Sequence, residues 1–179
     1  MAVGIRLRLA TPADIEGIAD LHADSWRRNY RGSFADSFLD GNLIAERRAA
    51  WTAQLTDPGP LDHTLVAADS GDGSVVGLAH TVFDRHPTWG AVIDNLHVRH
   101  GLKGQGIGRR LVTATASAVI AHDPASGMYV EVLDLNTPAQ AFYERLGADH
   151  VYTGPCATPG GGRSTERIYA WPAPLTLVT

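Results

Sequence analysis

The sequence predicts one mixed α/β domain across residues 1–179, and three observations predict it. The chain opens on a period-two run, with Ile5, Leu7 and Leu9 alternating with Arg6 and Arg8, as in a half-buried strand. Three β-rich runs then follow one another between His63 and Val98. After them, segments with apolar residues at helical spacing alternate with further strands up to Trp171, with no internal repeat and no linker.

In chain order, the opening strand leads into Thr11-Pro12-Ala13-Asp14, a helix start with a hydroxyl cap, Pro at the first helical position and an acid three residues after the cap. Ile15, Ile18, Ala19, His22 and Trp26 continue that helix on one face. A second helical region carries Phe34, Phe38, Leu39, Ile44, Trp51 and Leu55 and stops at Asp57-Pro58-Gly59-Pro60. Strands His63–Ala68 and Ser74–Phe83 flank Asp69-Ser70-Gly71-Asp72-Gly73, a hairpin turn signal, and Ala91–Val98 is the third strand. A helix from about Gly106 to His122 presents Ile107, Leu111, Ala114 and Ala118, and its small residues suit close packing on a sheet. Strand Tyr129–Leu133 follows. Thr137-Pro138 opens a helix that Gly147 closes. Strands near His150–Thr153 and Thr165–Trp171 flank the glycine-rich loop Pro159–Gly162, within a wider loop Gly154–Arg163 whose glycines permit mobility.

Composition narrows the function classes. Hydrophobic residues make up 44% and charged residues 19%, ordinary globular usage far from the signature of disorder. A formal net charge of −4 with interspersed signs supplies no broad cationic field, which argues against nucleic acid and anionic membranes as partners. Cys156 is the only cysteine, so neither an intrachain disulfide nor a cysteine zinc cluster can form, and no metal is expected. The charged amino-terminal pattern is unlike a signal peptide, and Leu111–Ala121 is too short for a membrane helix, so the expected location is the cytoplasm.

The informative segment runs from Asp94-Asn95-Leu96-His97-Val98 through a short loop to Lys103-Gly104-Gln105-Gly106-Ile107-Gly108-Arg109-Arg110. Glycines let successive N–H groups converge on an anion, and a helix amino end adds positive partial charge. That combination suits a phosphate, with Lys103, Arg109 and Arg110 able to add charge-assisted contacts. A triphosphate-binding loop is disfavoured because no Gly-Lys-Ser/Thr stands at the required spacing. A dinucleotide fold competes, with Glu131 or Asp134 as its acid, but its glycine spacing differs and it expects repeated βα units.

These residues resemble the GNAT superfamily of acetyltransferases, whose hallmark turn is Arg/Gln-x-x-Gly-x-Gly/Ala; here Lys103 takes the first place. Its second element, an Asn followed by a helix with an aromatic pair near a glycine, is matched by Asn136-Thr137-Pro138-Ala139-Gln140-Ala141-Phe142-Tyr143-Glu144-Arg145-Leu146-Gly147. The resemblance covers about Ile5 to Trp171. It implies an α+β fold with a mixed, mostly antiparallel sheet flanked by helices and splayed at its centre, and acetyl-CoA as acyl donor. The pantetheine arm would lie between Ala91–Val98 and Tyr129–Leu133, paired with the main chain of Leu96 and Val98 around His97. Pyrophosphate would sit on Lys103 to Arg110, Asn136 would hold the cofactor arm, and the Tyr143 hydroxyl would lie near the thioester sulfur. Asn136 also suits a cap, and Tyr143 and Phe142 also suit the core.

Acyl transfer to an amine needs a neutral amine, a donor to the charge developing on the thioester oxygen, and a proton for the thiolate. Freeing a lysine-like amine of pKa ~10.4 at pH 7 costs about 4.6 kcal/mol, against about 1.1 for an α-amine of pKa ~7.8. Many relatives use a fourth-strand glutamate as base, but Val92 stands there in this chain. Asp94, His97, Glu131 and His80 are the alternatives, and strand alternation sets Asp94 and His97 on opposite faces; Asp94 is the expected base. By the same resemblance Trp26, Tyr30, Phe34 and Phe38 would wall the cleft for a small-molecule or peptide amine. The Val92 departure keeps open a non-catalytic acetyl-CoA sensor or scaffold. The tail Pro172–Thr179 either frays or docks on a second subunit, which would make a homodimer.

Overall fold

Among the described residues, seven strands form one sheet in the order β1-β2-β3-β4-β5-β7-β6. The computed structural model describes residues 4–178; Met1–Val3 and Thr179, the outer limits of the expected domain, lie outside the described residues. The strands are β1 (Ile5–Leu9), β2 (Asp62–Asp69), β3 (Val75–His86), β4 (Gly90–Val98), β5 (Met128–Leu133), β6 (Asp149–Thr158) and β7 (Gly162–Trp171). The helices are α1 (Ile15–Asn29), α2 (Asp36–Leu39), α3 (Leu43–Thr56), α4 (Ile107–His122) and α5 (Thr137–Arg145). Every neighbouring strand pair is antiparallel except β4 with β5.

Local chemistry explains the element ends. Asp14 reaches back to the Thr11 N–H (2.8 Å) in the expected capping box, but Pro12–Asp14 wind as a 3-10 turn and α1 starts only at Ile15. The single helical region expected after Tyr30 is broken into α2 and α3, because Asp40-Gly41-Asn42 is turn chemistry and interrupts the ladder. Gly147, at φ 81, closes α5 as expected.

Helix α4 packs on one face of the sheet and α1 and α3 on the other. Gly77 permits the close approach of α4: a Cβ there would stand 3.1 Å from Leu111 and 3.2 Å from Ile107 side-chain carbons. Ile93, Val130 and Val132 join Val112, Ala116 and Val119 in the core on that side. On the other side Ile18, Leu21 and Trp51 close over Val66, Val75 and Leu78.

One expectation is corrected. The segment read as a loop from Gly154 to Arg163 is mostly strand: Pro155 pairs with Thr165 and Cys156 with Ser164, leaving only the tip at Pro159–Gly161 outside the ladder. Pro155 is tolerated because β6 is the outermost strand, where a missing N–H breaks nothing. The described part of the tail, Pro172–Val178, lies against its own chain. Pro174–Leu177 form a turn on α4 of the same chain, Pro174 is buried, and Thr113 Oγ1 donates to the Leu177 carbonyl at 3.2 Å.

Candidate active site

The parallel pairing of β4 with β5 lasts three residues, Ala91 to Ile93 against Met128 to Val130, and then stops. Beyond it the two strands part, each held only by its outer neighbour: β4 runs on against β3 to Val98, and β5 against β7 to Leu133. The Arg99 N–H bonds the Val76 carbonyl at 2.8 Å, so by alternation Leu96 and Val98 turn their peptide groups into the gap. A polypeptide-like arm could complete both free edges there.

The fork opens into a cleft of about 420 Å³, within the range of organic-ligand pockets. Of the expected residues, Tyr30, Leu96, His97, Val98, Lys103, Gly104, Gly106, Ile107, Gly108, Arg109, Asn136 and Tyr143 line it. Gly104 and Gly106 both take φ 80, and a Cβ on either would meet nothing within 4 Å, so their open faces look into free space. The N–H groups of Gly104, Gln105 and Gly106 donate to no acceptor among the described residues. With the first free N–H groups of α4 they form a run of unspent donors at the positive end of a 16-residue helix. That is a fit for pyrophosphate. Gly108 serves packing instead: its bare Cα lets Phe142 lie against α4, where an added Cβ would stand 3.2 Å from Phe142 Cζ.

Other expected residues stand outside the cleft. Arg110 donates to the Ile5 carbonyl at 3.0 Å, because consecutive helical residues point about 100° apart and only Arg109 can face the turn. Gln105 is exposed and is not among the residues that line the cleft. Trp26 and Phe34 are each 7% exposed and pack edge to face at 5.0 Å; they belong to the core behind Tyr30. Asp94 lies at the fork beside the cleft lining.

The placement of Asp94 and His97 on opposite faces is corrected by a β-bulge. His80 pairs with Asn95 and Thr81 with Ile93, so Asp94 has no partner on β3 and the alternation slips by one. Ile93 and Leu96 face α4 while Asn95 and His97 face α1. Asp94 shares their side, where its charge opposes the lowering of the His80 pKa by burial.

A polar network ties this face together. Asn95 Nδ2 donates to Asp94 Oδ2 (2.6 Å), which leaves Asn95 Oδ1 to accept from His97 Nε2 (3.4 Å). His97 Nδ1 then accepts from the Ser25 hydroxyl (2.9 Å), and Ser25 is held by Asn29 Nδ2 (3.2 Å). Burial takes the His97 pKa down to about 3, with the positive charges of Lys103 and Arg47 acting in the same direction, so the ring is neutral. Ser25 and Asn29 also line the cleft and were missed in the sequence. Their signal was present: His22, Ser25 and Asn29 form a polar stripe at i, i+3 and i+7 on the face of α1 that carries Trp26.

Tyr143 is 5% exposed and its hydroxyl has no hydrogen-bond partner among the described residues, although it lines the cleft. Burial, with Tyr30 nearby, pushes its pKa up, so the group keeps its proton. Tyr30 is itself pushed up to about 12 by burial and the Asp94 charge. Asn136 sits at the start of α5, its carbonyl accepting from the Gln140 N–H at 3.2 Å. Among the described residues no group of three or more His, Cys, Asp or Glu is arranged to hold a metal ion, and no helix is long and apolar enough to cross a membrane.

A forked sheet with free strand edges and unspent N–H groups of a helix start at its mouth suits an extended, amide-bearing ligand that ends in an anion. A model of the acetyltransferase (GNAT) family matches residues 16–148, and the chain belongs to that family of acyltransferases. It is 27% identical over 149 residues to the uncharacterized N-acetyltransferase YuaI of Bacillus subtilis, covering 82% of each chain. It is 28% identical over 154 residues to the probable N-acetyltransferase Rv2775 of Mycobacterium tuberculosis, covering 79% of this chain and 78% of that one. The PaiA N-acetyltransferase of Thermoplasma acidophilum, solved in complex with coenzyme A, superposes with a TM-score of 0.71 at 15% identity, over 94% of this chain and 99% of that one. The mixed, mostly antiparallel sheet flanked by helices is the fold of these structures.

Proposed function

We propose that the protein transfers an acetyl group from acetyl-CoA to the primary amine of a small molecule or peptide, by direct attack of the amine on the thioester. The observation that carries this reading is the fork between β4 and β5 opening onto the unspent N–H groups of Gly104 to Gly106. A fold neighbour that binds coenzyme A supports the choice of donor.

In this reading the donors of the turn hold pyrophosphate, with Lys103 and Arg109 adding charge, while Leu96 and Val98 pair their main chain with the pantetheine amides. Asn136 steadies the same arm. The N–H of Val98 or its neighbour on the gap side meets the charge developing on the thioester oxygen. Tyr143 keeps its proton and donates a hydrogen bond to the departing sulfur. Because its pKa lies above that of a thiol (~8.5), stabilisation of the thiolate is favoured over full proton transfer. Asp94, free at the bulge, accepts the proton of the attacking amine, and the neutral His97 holds its orientation through Asn95. Tyr30 walls the acceptor side, backed by Phe34 at 4.9 Å.

Calorimetric titration tests the reading. Saturable binding of acetyl-CoA, with none of NADH, is expected, followed by release of free CoA with an amine panel. A folded sample that binds no acetyl-CoA overturns it, and binding without turnover on any amine points to a sensor.

A further inference from the structure

A serine or threonine inside a helix commonly turns its hydroxyl back to the carbonyl four residues before it. Thr52, Thr56 and Ser117 do so, at 2.8, 2.7 and 3.1 Å. Ser25 does not. It is buried on α1, yet its hydroxyl crosses to β4 and meets His97 Nδ1 at 2.9 Å. Its own carbonyl is taken by Asn29 Nδ2 at 2.8 Å, and the same Nδ2 reaches Ser25 Oγ at 3.2 Å.

Both ends of this run fix its direction. A backbone carbonyl only accepts, so the Asn29 group on Ser25 is its amide nitrogen, and the Ser25 hydroxyl proton is left to point at His97. At the other end an ionised carboxylate only accepts, so Asn95 presents Nδ2 to Asp94 and Oδ1 to His97 Nε2. His97 therefore carries its proton on Nε2 and accepts on Nδ1. Every bond from Asn29 through Ser25, His97 and Asn95 then donates towards Asp94, an arrangement in which neighbouring hydrogen bonds polarise one another. No other hydrogen bond among the described residues engages the His97 ring; His22 stacks on it at 4.5 Å with its own Nδ1 taken by Trp51. Burial keeps the ring neutral, so one nitrogen stays bare.

Asp94 is exposed at the bulge, without a partner on β3, and among the described residues its carboxylate is held by Asn95 alone. Asn95 is partly exposed, and a half-turn of its amide would set Oδ1 against the carboxylate, two acceptors facing each other. The proton on His97 Nε2 opposes that half-turn, and the Ser25 hydroxyl keeps the proton there. We infer that Ser25 is a positioning residue for Asp94: its hydroxyl sets the His97 tautomer, the tautomer sets the Asn95 amide, and the amide leaves Asp94 Oδ1 free to take the proton of the attacking amine. The inference rests on the function proposed above, in which Asp94 is the base. No proton passes along the run; it orients the carboxylate. Because Ser25 and Asn29 also line the donor cleft, the run joins the wall of that cleft to the group that acts on the amine.

Nitrogen NMR of histidine-labelled protein, without any ligand, reads the tautomer, with the His97 signals assigned by their loss in His97→Asn. A proton on Nε2 and a bare, hydrogen-bonded Nδ1 are expected in the natural chain and in Ser25→Thr, which keeps the hydroxyl. In Ser25→Ala the hydroxyl no longer commits the ring, and both tautomers should appear. Turnover of Ser25→Ala under saturating acetyl-CoA should fall about tenfold in kcat with KM for the amine nearly unchanged, the sign of a misplaced group rather than a lost substrate contact. Ser25→Thr should recover most of that loss. A proton on Nδ1 in the natural chain, a single unchanged tautomer in Ser25→Ala, or full kcat in that variant overturns the inference. The natural-chain measurement holds whether or not a substituted chain folds. Calorimetry separates the two readings: no acetyl-CoA binding by the natural chain sinks the proposed function, whereas the tautomer, read without cofactor, still decides the direction of the run.

Discussion

The imidazole rings of His22 and His97 lie with centroids 4.5 Å apart and 35° between their planes, both almost fully buried between α1 and β4. Trp51 Nε1 donates to His22 Nδ1 at 2.9 Å, so His22 carries its proton on Nε2, an atom without a partner in the core. Burial lowers both pKa values, and each ring would repel a charge on the other. A histidine whose folded pKa lies below its unfolded value of ~6.5 binds protons more readily when unfolded. Stability is therefore complete above pH 6.5 and falls as pH drops towards about 3, the value to which His97 is pushed. By pH 4.5 the loss from His97 alone is on the order of 3 kcal/mol, two pH units below the unfolded value. Thermal melts between pH 7.5 and 4.5 should show a steep loss for the natural chain and a shallower one for His97→Asn. Asp14, whose pKa is lowered mainly by its Arg8 partner, loses its contribution only near and below pH 4. Equal pH slopes for the two proteins would show that His97 is not held neutral.

Gly106 and Gly108 are two letters apart in the turn and should fail differently. Gly106→Ala puts a methyl into open space at φ 80, a strain of about 1–2 kcal/mol with no collision inside the protein. The fold should survive while acetyl-CoA affinity drops at least about tenfold, because the methyl stands over the free N–H groups. Gly108→Val instead drives into Phe142, so its loss should appear first as a lower melting temperature. Calorimetry and melting on both variants separate these outcomes. Unchanged affinity in Gly106→Ala would remove the phosphate cradle.

Much of this arrangement was legible in the sequence because local signals and tertiary structure agree. Strand periodicity, the glycine turn and the Asn136 to Gly147 segment each specify their element without help from distant residues. What was not legible depends on pairing. A bulge at Asp94 leaves no mark in β4, since it arises from one extra residue counted against β3, and it changed which face His97 shares. The length of the β6–β7 hairpin was hidden because Pro155 and the glycines imitate a loop until the edge position of β6 is known. Trp26 and Phe34 looked like a cleft wall because aromatic residues on a helix carry no sign of whether the surface they bury is shared with a ligand.

Tyr143→Phe removes a hydroxyl that bonds nothing in the protein, so melting temperature and acetyl-CoA affinity should stay close to those of the natural chain. Turnover should fall about a hundredfold, since the donor to the leaving sulfur is lost. Measuring CoA release under saturating donor reads this directly. A variant with full turnover would return Tyr143 to the core, where it packs on Trp171 at 5.9 Å.

Deleting residues from Ala173 onwards uncovers the part of α4 on which Leu177 packs and removes the Thr113 hydrogen bond. Loss of these contacts should cost about 2 kcal/mol, visible as a lower denaturant midpoint. Light scattering should give the same assembly state for both proteins. A smaller assembly after deletion would mean that the tail also bridges subunits.

The base is tested by the amine that needs it most. Asp94→Asn keeps an oxygen that can accept from Asn95 Nδ2, so the bulge and the His97 contact should persist while basicity disappears. An alkylamine must shed a proton at about 4.6 kcal/mol at pH 7, an α-amine at only about 1.1, so loss of the base should weigh far more on the first. Expected is a drop of about a hundredfold in kcat for alkylamines, recovering as the pH rises towards the amine pKa, and a few-fold drop for α-amines. A change confined to KM and erased by salt would assign Asp94 to cation binding alone. An unaltered pH profile would leave the proton to water or to Glu131, the other carboxylate at the fork.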